Sequence, residues 1–255
     1  MKSIFRFLGL VLLAGLALQI YFAVRIAMMA VVNPESTAFQ RSEVWQIASN
    51  TGALKWRQQW VAYADISDTL KRAVIASEDA TFNAHDGLDV EALEKAWEKN
   101  ARAEARAAQL ASQIVGRATT SRTNAPPAVV KPAKIIGGST ITQQLAKNLF
   151  LSGERTLLRK GQELVLTVML ETLLSKQRIL EIYLNSVEWG NGVFGAEAAA
   201  QHYYRKSASR LSPFEAARLA VMLPRPKYFE ARSQSGYLNA RAATIAARTA
   251  GVEIP

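Results

Sequence analysis

The sequence predicts a mainly α-helical protein with one transmembrane helix at its N-terminus. An uncharged apolar run lies near the start of the chain, and helix-start signals recur through the rest of it. Strand patterns do not alternate with helix patterns, as they do in proteins built on a parallel sheet. The 255 residues are enough for one domain of moderate size with its own core, together with the membrane segment.

The apolar run covers residues 7–24, which carry no charge and one amide, Gln19. At about 1.5 Å per residue this helix would be roughly 27 Å long, close to the hydrocarbon thickness of about 30 Å. The run resumes beyond Arg25, so we place an uncleaved anchor at 7–32. A cleaved signal peptide is the alternative, but its apolar part is usually only about 7–15 residues long, and it ends at a small-x-small site that we do not find here.

The distribution of charge indicates an orientation and an environment. Lys2 and Arg6 precede the anchor, so the positive-inside rule places residues 1–6 in the cytoplasm and the bulk of the chain outside. The whole chain carries +10; residues 1–32 hold three basic and no acidic side chains, which leaves +7 for the body. A basic body tethered to a membrane favours anionic head groups and phosphates, and we expect no nucleic-acid partner.

The use of cysteine and histidine excludes several kinds of chemistry. The chain has no cysteine, which removes thiol catalysis, Cys-ligated zinc and disulfides. Its two histidines, His85 and His202, leave little room for a His-rich metal site or a Ser–His–Asp system. We therefore assign no metal-ligating residue.

The body is predicted from its cap residues and apolar periodicity. Residues 33–65 lack a strong period and predict a stalk with strand or short-helix segments. Ser67 begins a helix, and Thr140 with Gln143 forms a capping box. Further predictions are a surface helix at 101–111, a mobile loop or linker at 119–132, helices at 157–174, 177–184 and 196–204, a glycine loop at 190–195, and a helix from Ser212 that Pro224 and Pro226 stop.

The first candidate site is the pair Glu78 and Asp79, which follows an apolar helical segment at 73–76. A carboxylate at the negative end of a helix is disfavoured by about 0.3–1 kcal/mol, which suits a site that needs a carboxylate of raised basicity. A solvated pair on a loop is the alternative. His85, nearby, is more often a structural hydrogen-bonding residue than a metal ligand.

The second candidate site is the start of the helix that follows two glycines at 137–138. Thr140, Gln144 and Lys147 recur at helical spacing and form a polar stripe. Glycines before a helix leave its first N–H groups accessible to an anion, and Lys147 can reach the same ligand. A solvated helix face is the alternative.

The third candidate site is Arg159, Lys160 and Glu163, at the start of a helix that is apolar nearly all round. Burial at this helix raises the pKa of a carboxyl group, and a nearby cation lowers it. The alternative to a functional site is a purely structural ion pair between Arg159 and Glu163. Two separated glutamates with several cations suggest sugar transfer from a pyrophosphate. The cations would stabilise the departing charge, and one carboxylate would act as base for the attacking hydroxyl. The anchor suggests that the phosphate is carried on a lipid.

At these residues the sequence resembles the peptidoglycan glycosyltransferase family. The resemblance is carried, in chain order, by Glu78-Asp79-x-x-Phe82-x-x-His85-x-Gly87, Gly138-Ser139-Thr140-Ile141-Thr142-Gln143-Gln144-x-x-Lys147-Asn148, Arg159-Lys160-x-x-Glu163, Arg178-Ile179-Leu180-Glu181-Ile182-Tyr183-Leu184-Asn185 and Gly190-x-Gly192-x-x-Gly195. Together with the Ser212 helix, these motifs cover about residues 66–229. No transpeptidase segment follows them, so we expect a monofunctional member.

The resemblance implies a lysozyme-like glycosyltransferase domain at 66–255, with a helical head and a smaller membrane-facing jaw. It implies that lipid II is polymerised by transfer of a growing glycan from undecaprenyl pyrophosphate, with inversion to a β-1,4 bond. Glu78 matches the family's general base, and Glu163 matches the second catalytic glutamate. The positions that match substrate-binding or cleft-shaping residues are Asp79, Phe82, His85, Ser139, Thr140, Gln144, Lys147, Asn148, Arg159 and Lys160.

The resemblance also implies a setting and partners. The protein would be a single-pass protein of the bacterial plasma (inner) membrane, with its catalytic domain on the periplasmic face. Its partners would be lipid II, the growing glycan strand and the membrane, and cell-division or elongation proteins are further candidates. The resemblance leaves one cofactor open, a divalent cation (Mg or Mn) at the pyrophosphate.

One departure from the family pattern concerns the jaw. Glu78 and Ser139 are 61 positions apart, which is longer than the family's usual connection. The excess lies at about 101–134, which we treat as an insert without a physical explanation. Two other functions stay open: a lysozyme-like lytic enzyme, which the cations argue against, and a non-catalytic membrane scaffold of the cell-wall machinery.

Overall fold

The structure of the protein, a computed structural model, describes residues 2–120, 138–151 and 156–255. Helices predominate in these residues, as the sequence predicts. The chain divides into a main unit, Met1–Leu88 with Thr140–Pro255, and a second unit, Asp89–Ser139. The segment 33–65, predicted as a stalk, is part of the main unit.

Eleven α-helices lie in the described residues. In chain order they are α1 (Lys2–Met28), α2 (Ala38–Thr51), α3 (Asp68–Glu78), α4 (Val90–Thr120), α5 (Ile141–Phe150), α6 (Leu157–Leu173), α7 (Lys176–Ser186), α8 (Ala196–Tyr204), α9 (Pro213–Met222), α10 (Pro226–Glu230) and α11 (Gly236–Arg248). A small sheet joins β1 (Arg57–Gln58), β2 (Glu188–Gly190) and β3 (Val193–Phe194), in the order β1-β3-β2. Strand β3 is parallel to β1 and antiparallel to β2.

The local start signals correctly locate most helices. Capping boxes form at Thr140 with Gln143 and at Ser212 with Glu215, as predicted. The helices predicted at 157–174 and 196–204 correspond to α6 and α8. These agreements follow from capping and apolar spacing, which act within a few residues of sequence.

Three elements differ from the predictions. Helix α2 lies in the segment 33–65, where it begins at a capping box between Thr37 and Gln40. The predicted glycine loop at 190–195 contains the last residue of β2 and all of β3. Gly192 there has φ +74°, and a Cβ would lie 2.5 Å from the Lys55 carbonyl oxygen. The Ser212 helix ends at Met222, before Pro224, as predicted, but Pro226 also begins a further helix, α10, since a proline fits the first turn of a helix.

The core of the main unit positions the elements that carry the candidate site. Helix α3 packs against α9 and α11, and α5 packs against α6 and α7. Trp189 is fully buried and donates its indole N–H to the Leu219 carbonyl at 3.0 Å. Tyr183 and Phe82 are fully buried as well. The ends of α3, α5 and α6 are therefore held by a continuous apolar core.

Helix α1 is long and apolar enough to cross a membrane. None of its apolar window is buried by protein, whereas Ile26 and Met29 beyond it are buried. The second unit contains α4, whose first turn is capped by the Asp89 carboxylate at 2.7 Å from the Ala92 N–H. The surface helix predicted at 101–111 is part of α4, and the linker predicted at 119–132 lies outside the described residues from 121 onward.

We expect the replacement Asn185→Leu to destabilise the main unit. The buried Asn185 side chain accepts from the Val61 N–H at 2.9 Å and donates to the Val61 carbonyl at 3.0 Å, which holds the segment before α3 to α7. Loss of both bonds should lower the free energy of unfolding by about 2–3 kcal/mol, measured by urea unfolding in detergent. Gln59→Ala, at an exposed position, is the matched control. A change as small as that of the control would contradict the expectation.

Candidate active site

Glu78 is the last residue of α3 and is only partly accessible. The Gln144 side chain of α5 donates an amide N–H to Glu78 Oε2 at 3.0 Å. Burial raises the pKa of Glu78; the hydrogen bond from Gln144 opposes this rise, and the charge of Asp79 adds to it. Because the net shift is upward, this carboxylate is a stronger base than a solvated glutamate.

Tyr183 supports this pair and was not among the site residues predicted from the sequence. Its hydroxyl donates to Gln144 Oε1 at 2.9 Å, which leaves the amide N–H of Gln144 directed at Glu78. Burial, and then the charges of Glu78 and Asp79, raise the pKa of Tyr183 well above its usual value. The hydroxyl therefore stays protonated and keeps donating. The signal in the sequence was a tyrosine on the buried face of α7.

Asp79 ties the end of α3 to the start of α5. Its Oδ2 accepts the Ile141 backbone N–H at 3.0 Å, and its Oδ1 contacts His85 Nε2 at 2.9 Å. The Gly87 N–H donates to His85 Nδ1 at 3.1 Å, so the proton of a neutral His85 lies on Nε2 and is donated to Asp79. Phe82 is fully buried beneath the same loop. Asp79, Phe82 and His85 thus hold the backbone around Glu78.

Thr140 closes the same loop from the side of α5. Its hydroxyl donates to the Gly87 carbonyl at 2.7 Å and accepts from the Gln143 N–H at 3.2 Å. Gly87 has φ +81°, and a Cβ there would lie 2.6 Å from Thr167 Cγ2, so only glycine fits. Ser139, the residue before Thr140, belongs to the second unit.

Glu163 forms the centre of a cation cluster on α6. Its side chain is 5% exposed, and Arg159 Nη1 donates to its Oε2 at 2.9 Å. Lys160 Nζ donates to the other oxygen, Oε1. Arg159 Nε is buried and has no acceptor among the described residues. The guanidinium in this cluster therefore keeps one N–H without an acceptor among the described residues.

Lys147 lies on α5, one turn after Gln144, and its charge interacts with this cluster. Burial lowers the pKa of Lys147, Glu163 raises it, and the charges of Arg159 and Lys160 lower it further. Lys147 makes no ion pair with a carboxylate in the part of the chain that the structure describes. Lys147 is exposed to solvent as a residue, although surrounding protein partly desolvates its amine. This suits a cation that can bind an anionic ligand.

Helix α5 thus brings the predicted site residues together. Gln144 faces Glu78, and Lys147, one turn further, lies near Glu163 and its two cations. Asn148, next to Lys147, is nearly buried on the same helix. This arrangement places a basic carboxylate and a set of cations at two points along one helix, which suits proton removal at one point and stabilisation of negative charge at the other.

Comparison with known proteins is consistent with this geometry. The sequence pattern of the Transglycosylase family matches residues 46–125 and 119–250. The biosynthetic peptidoglycan transglycosylases of Burkholderia pseudomallei and Burkholderia multivorans are 53% and 52% identical to the chain over 242 residues. These matches cover 95% of this chain and 84% and 87% of those proteins. The chain belongs to the transglycosylase family.

Proposed function

We propose that the protein is a membrane-anchored peptidoglycan glycosyltransferase that polymerises lipid II into β-1,4 glycan strands and releases undecaprenyl pyrophosphate. The observation that carries the proposal is the placement of the basic Glu78 carboxylate and the cation cluster of Glu163 along helix α5. The names of the Burkholderia relatives describe the same activity.

Glu78 is the general base in this reaction. It accepts the proton of the acceptor's 4-hydroxyl as that oxygen attacks the anomeric carbon of the donor sugar. The bond from the anomeric carbon to the pyrophosphate oxygen breaks, and its electron pair leaves with the pyrophosphate. Attack from the face opposite the leaving group inverts the anomeric centre.

The cations stabilise the charge that develops on the departing pyrophosphate. Arg159 contributes the charge of its guanidinium, and Lys147 offers an amine without a carboxylate partner among the described residues. Lys160 contributes charge while it contacts Glu163. Glu163 orients Arg159, and a leaving group stabilised in this way needs no acid to protonate it.

The remaining predicted residues support the cleft. Asp79, Phe82, His85 and Thr140 shape the backbone around Glu78, and Gln144 orients its carboxylate. Ser139 and Asn148 stay predicted substrate-binding residues.

A divalent cation fits the cluster poorly. Both oxygens of Glu163 already accept hydrogen bonds from cations, Arg159 at Oε2 and Lys160 at Oε1. Their positive charges beside the carboxylate repel a further cation, so we assign the stabilisation of the pyrophosphate to the side chains.

The proposed location is the inner membrane, with the main unit in the periplasm. Helix α1 has the length and composition of a membrane span, and Lys2 and Arg6 at its start favour a cytoplasmic N-terminus. Outside the anchor the chain keeps a net positive charge, which favours a position next to anionic lipid head groups.

We expect Glu78→Gln to lower polymerisation of lipid II by about 10²–10⁴-fold, because the amide cannot accept the proton. The measurement is the yield of glycan polymer from purified full-length protein, with thermal unfolding to verify the fold. Glu253→Gln, at an exposed carboxylate near the C-terminus, is the control. Polymer at the wild-type rate would contradict the role of Glu78, and soluble fragments released from cell walls would instead favour the lytic enzyme.

We expect Lys147→Met to lower kcat for polymerisation by about 10²–10³-fold, because a charge that stabilises the leaving pyrophosphate is lost. Lys206→Met, which removes a lysine paired with Glu215, is the matched control. The two variants should be assayed in vesicles of equal lipid composition, with and without a chelator. Equal rates for the two variants would contradict the role of Lys147, and loss of wild-type activity with chelator would contradict the assignment to side chains.

The pH profile should report the raised pKa of Glu78. Activity requires the ionised carboxylate, so kcat/KM should fall as pH decreases through a pKa that lies above the ordinary glutamate value. Gln144→Leu removes a hydrogen bond that stabilises the ionised form, so the acid limb should move to higher pH. A limb that stays in place, or moves to lower pH, would contradict this assignment.

A further inference from the structure

The anchor's single amide meets a second amide on α6. Gln19 Nε2 donates to Gln162 Oε1 at 2.9 Å, and Gln162 Nε2 donates to Gln19 Oε1 at 3.1 Å. The two side chains therefore form a reciprocal pair that satisfies one donor and one acceptor of each. Gln19 is the one amide in the uncharged run 7–24.

Gln19 marks the point where the anchor first contacts the rest of the main unit. Residues 2–18 are exposed along their whole length, whereas Gln19, Phe22, Ala23 and Ile26 are partly or fully buried. Their spacing of i, i+3, i+4 and i+7 defines one face of a helix. The Phe22 ring packs edge-on against Phe150, with 5.2 Å between the ring centroids.

The other end of the contact is fixed by Arg178 of α7. Its Nε donates to the Met29 carbonyl at 2.7 Å, and its Nη2 donates to Asn33 Oδ1 at 2.7 Å. Gln19 and Met29 are ten positions apart, or about 15 Å along a helix. A helix held at two points this far apart has a defined register and rotation against its neighbour.

The amide pair lies inside the apolar span. Gln19 precedes Val24, the end of the uncharged run, by five residues, which is about 7 Å. Water is scarce at that depth, so an unpaired amide has few alternative partners. The exposed apolar side chains of α6 fit the same surroundings; they are Leu157, Leu158, Leu164, Val165 and Val168.

Gln162 is adjacent in sequence to Glu163 and one turn from Arg159. The register of the anchor against α6 therefore determines how deep the cation cluster lies relative to the bilayer. A pyrophosphate carried on a lipid lies at a fixed depth, so the cluster must be held at the matching level.

We propose that Gln19 and Gln162 are positioning residues whose amide pair fixes the register of α1 against α6 and holds the Glu163 cluster at the level of the lipid-borne pyrophosphate. The proposal rests on the proposed function. The pair touches none of the reacting atoms and acts through α6.

The kinetic test uses full-length protein in lipid vesicles. We expect Gln19→Leu and Gln162→Leu each to raise the KM for lipid II about three- to tenfold, with kcat within about twofold, because each leaves one amide unpaired in the membrane. The double variant leaves none unpaired, so its KM should rise less than the product of the single effects. Gln201→Leu, at a glutamine paired with Glu197 on α8, is the control. Unchanged KM values, or effects that simply multiply, would overturn the proposal.

The geometric test exploits the absence of cysteine from the sequence. The double variant Gln19→Cys/Gln162→Cys should be joined by a short, membrane-permeant bifunctional methanethiosulfonate. The control pair Gln19→Cys/Leu164→Cys should react much less, because Leu164 lies two residues along α6 and faces another side. If both pairs react equally while the wild-type protein still makes polymer, this proposal is overturned and the proposed function is not. Absence of polymer from the wild type would contradict the proposed function instead, whatever the cross-links show.

Discussion

The candidate site depends on the buried carboxylate of Asp79. It accepts the Ile141 N–H at the start of α5 with one oxygen and the His85 ring N–H with the other. A helix N-terminus attracts negative charge, so this contact fixes α5 against the end of α3. Glu78 is the residue before Asp79, and it consequently faces Gln144 at the first turn of α5. Asp79 places the base without facing the reacting groups itself.

The two glutamates differ because their surroundings differ. Glu78 has an amide and a nearby carboxylate around it and no cation in contact, so burial dominates and raises its pKa. Glu163 is less exposed than Glu78, and it binds the guanidinium of Arg159 and the amine of Lys160. These two contacts hold Arg159 and Lys160 beside the Glu163 carboxylate. In the proposed reaction the same residue type therefore has two roles, with Glu78 as the base and Glu163 as the partner of the cations.

The sequence predicts the features that depend on neighbouring residues, and it does not predict contacts between residues far apart in the chain. Capping boxes at Thr140 and Ser212 and the apolar length of α6 are encoded within a few residues, and the structure agrees with them. Helix α2 has a weak apolar pattern because one of its buried residues is a glutamine, Gln40. The Gln40 side chain donates to the Ser186 carbonyl, 146 positions away. Tyr183 acts on Gln144 across 39 positions. Neither partner can be read from the sequence near these residues, because only the packing of the core brings them together.

The contacts of Gln19 indicate that helix α1 does more than attach the protein to the membrane. Hydrophobic length alone keeps a helix in the bilayer, and a leucine at position 19 would serve that purpose better than glutamine. The first half of α1 has only the hydrophobic length that a membrane span requires, since all of its side chains are exposed. The second half instead carries an amide and a packed aromatic ring, and just beyond its end Arg178 binds the Met29 carbonyl. These contacts make the helix less hydrophobic and fix its orientation against the main unit, and in the proposal above they are how the bilayer sets the depth of the site.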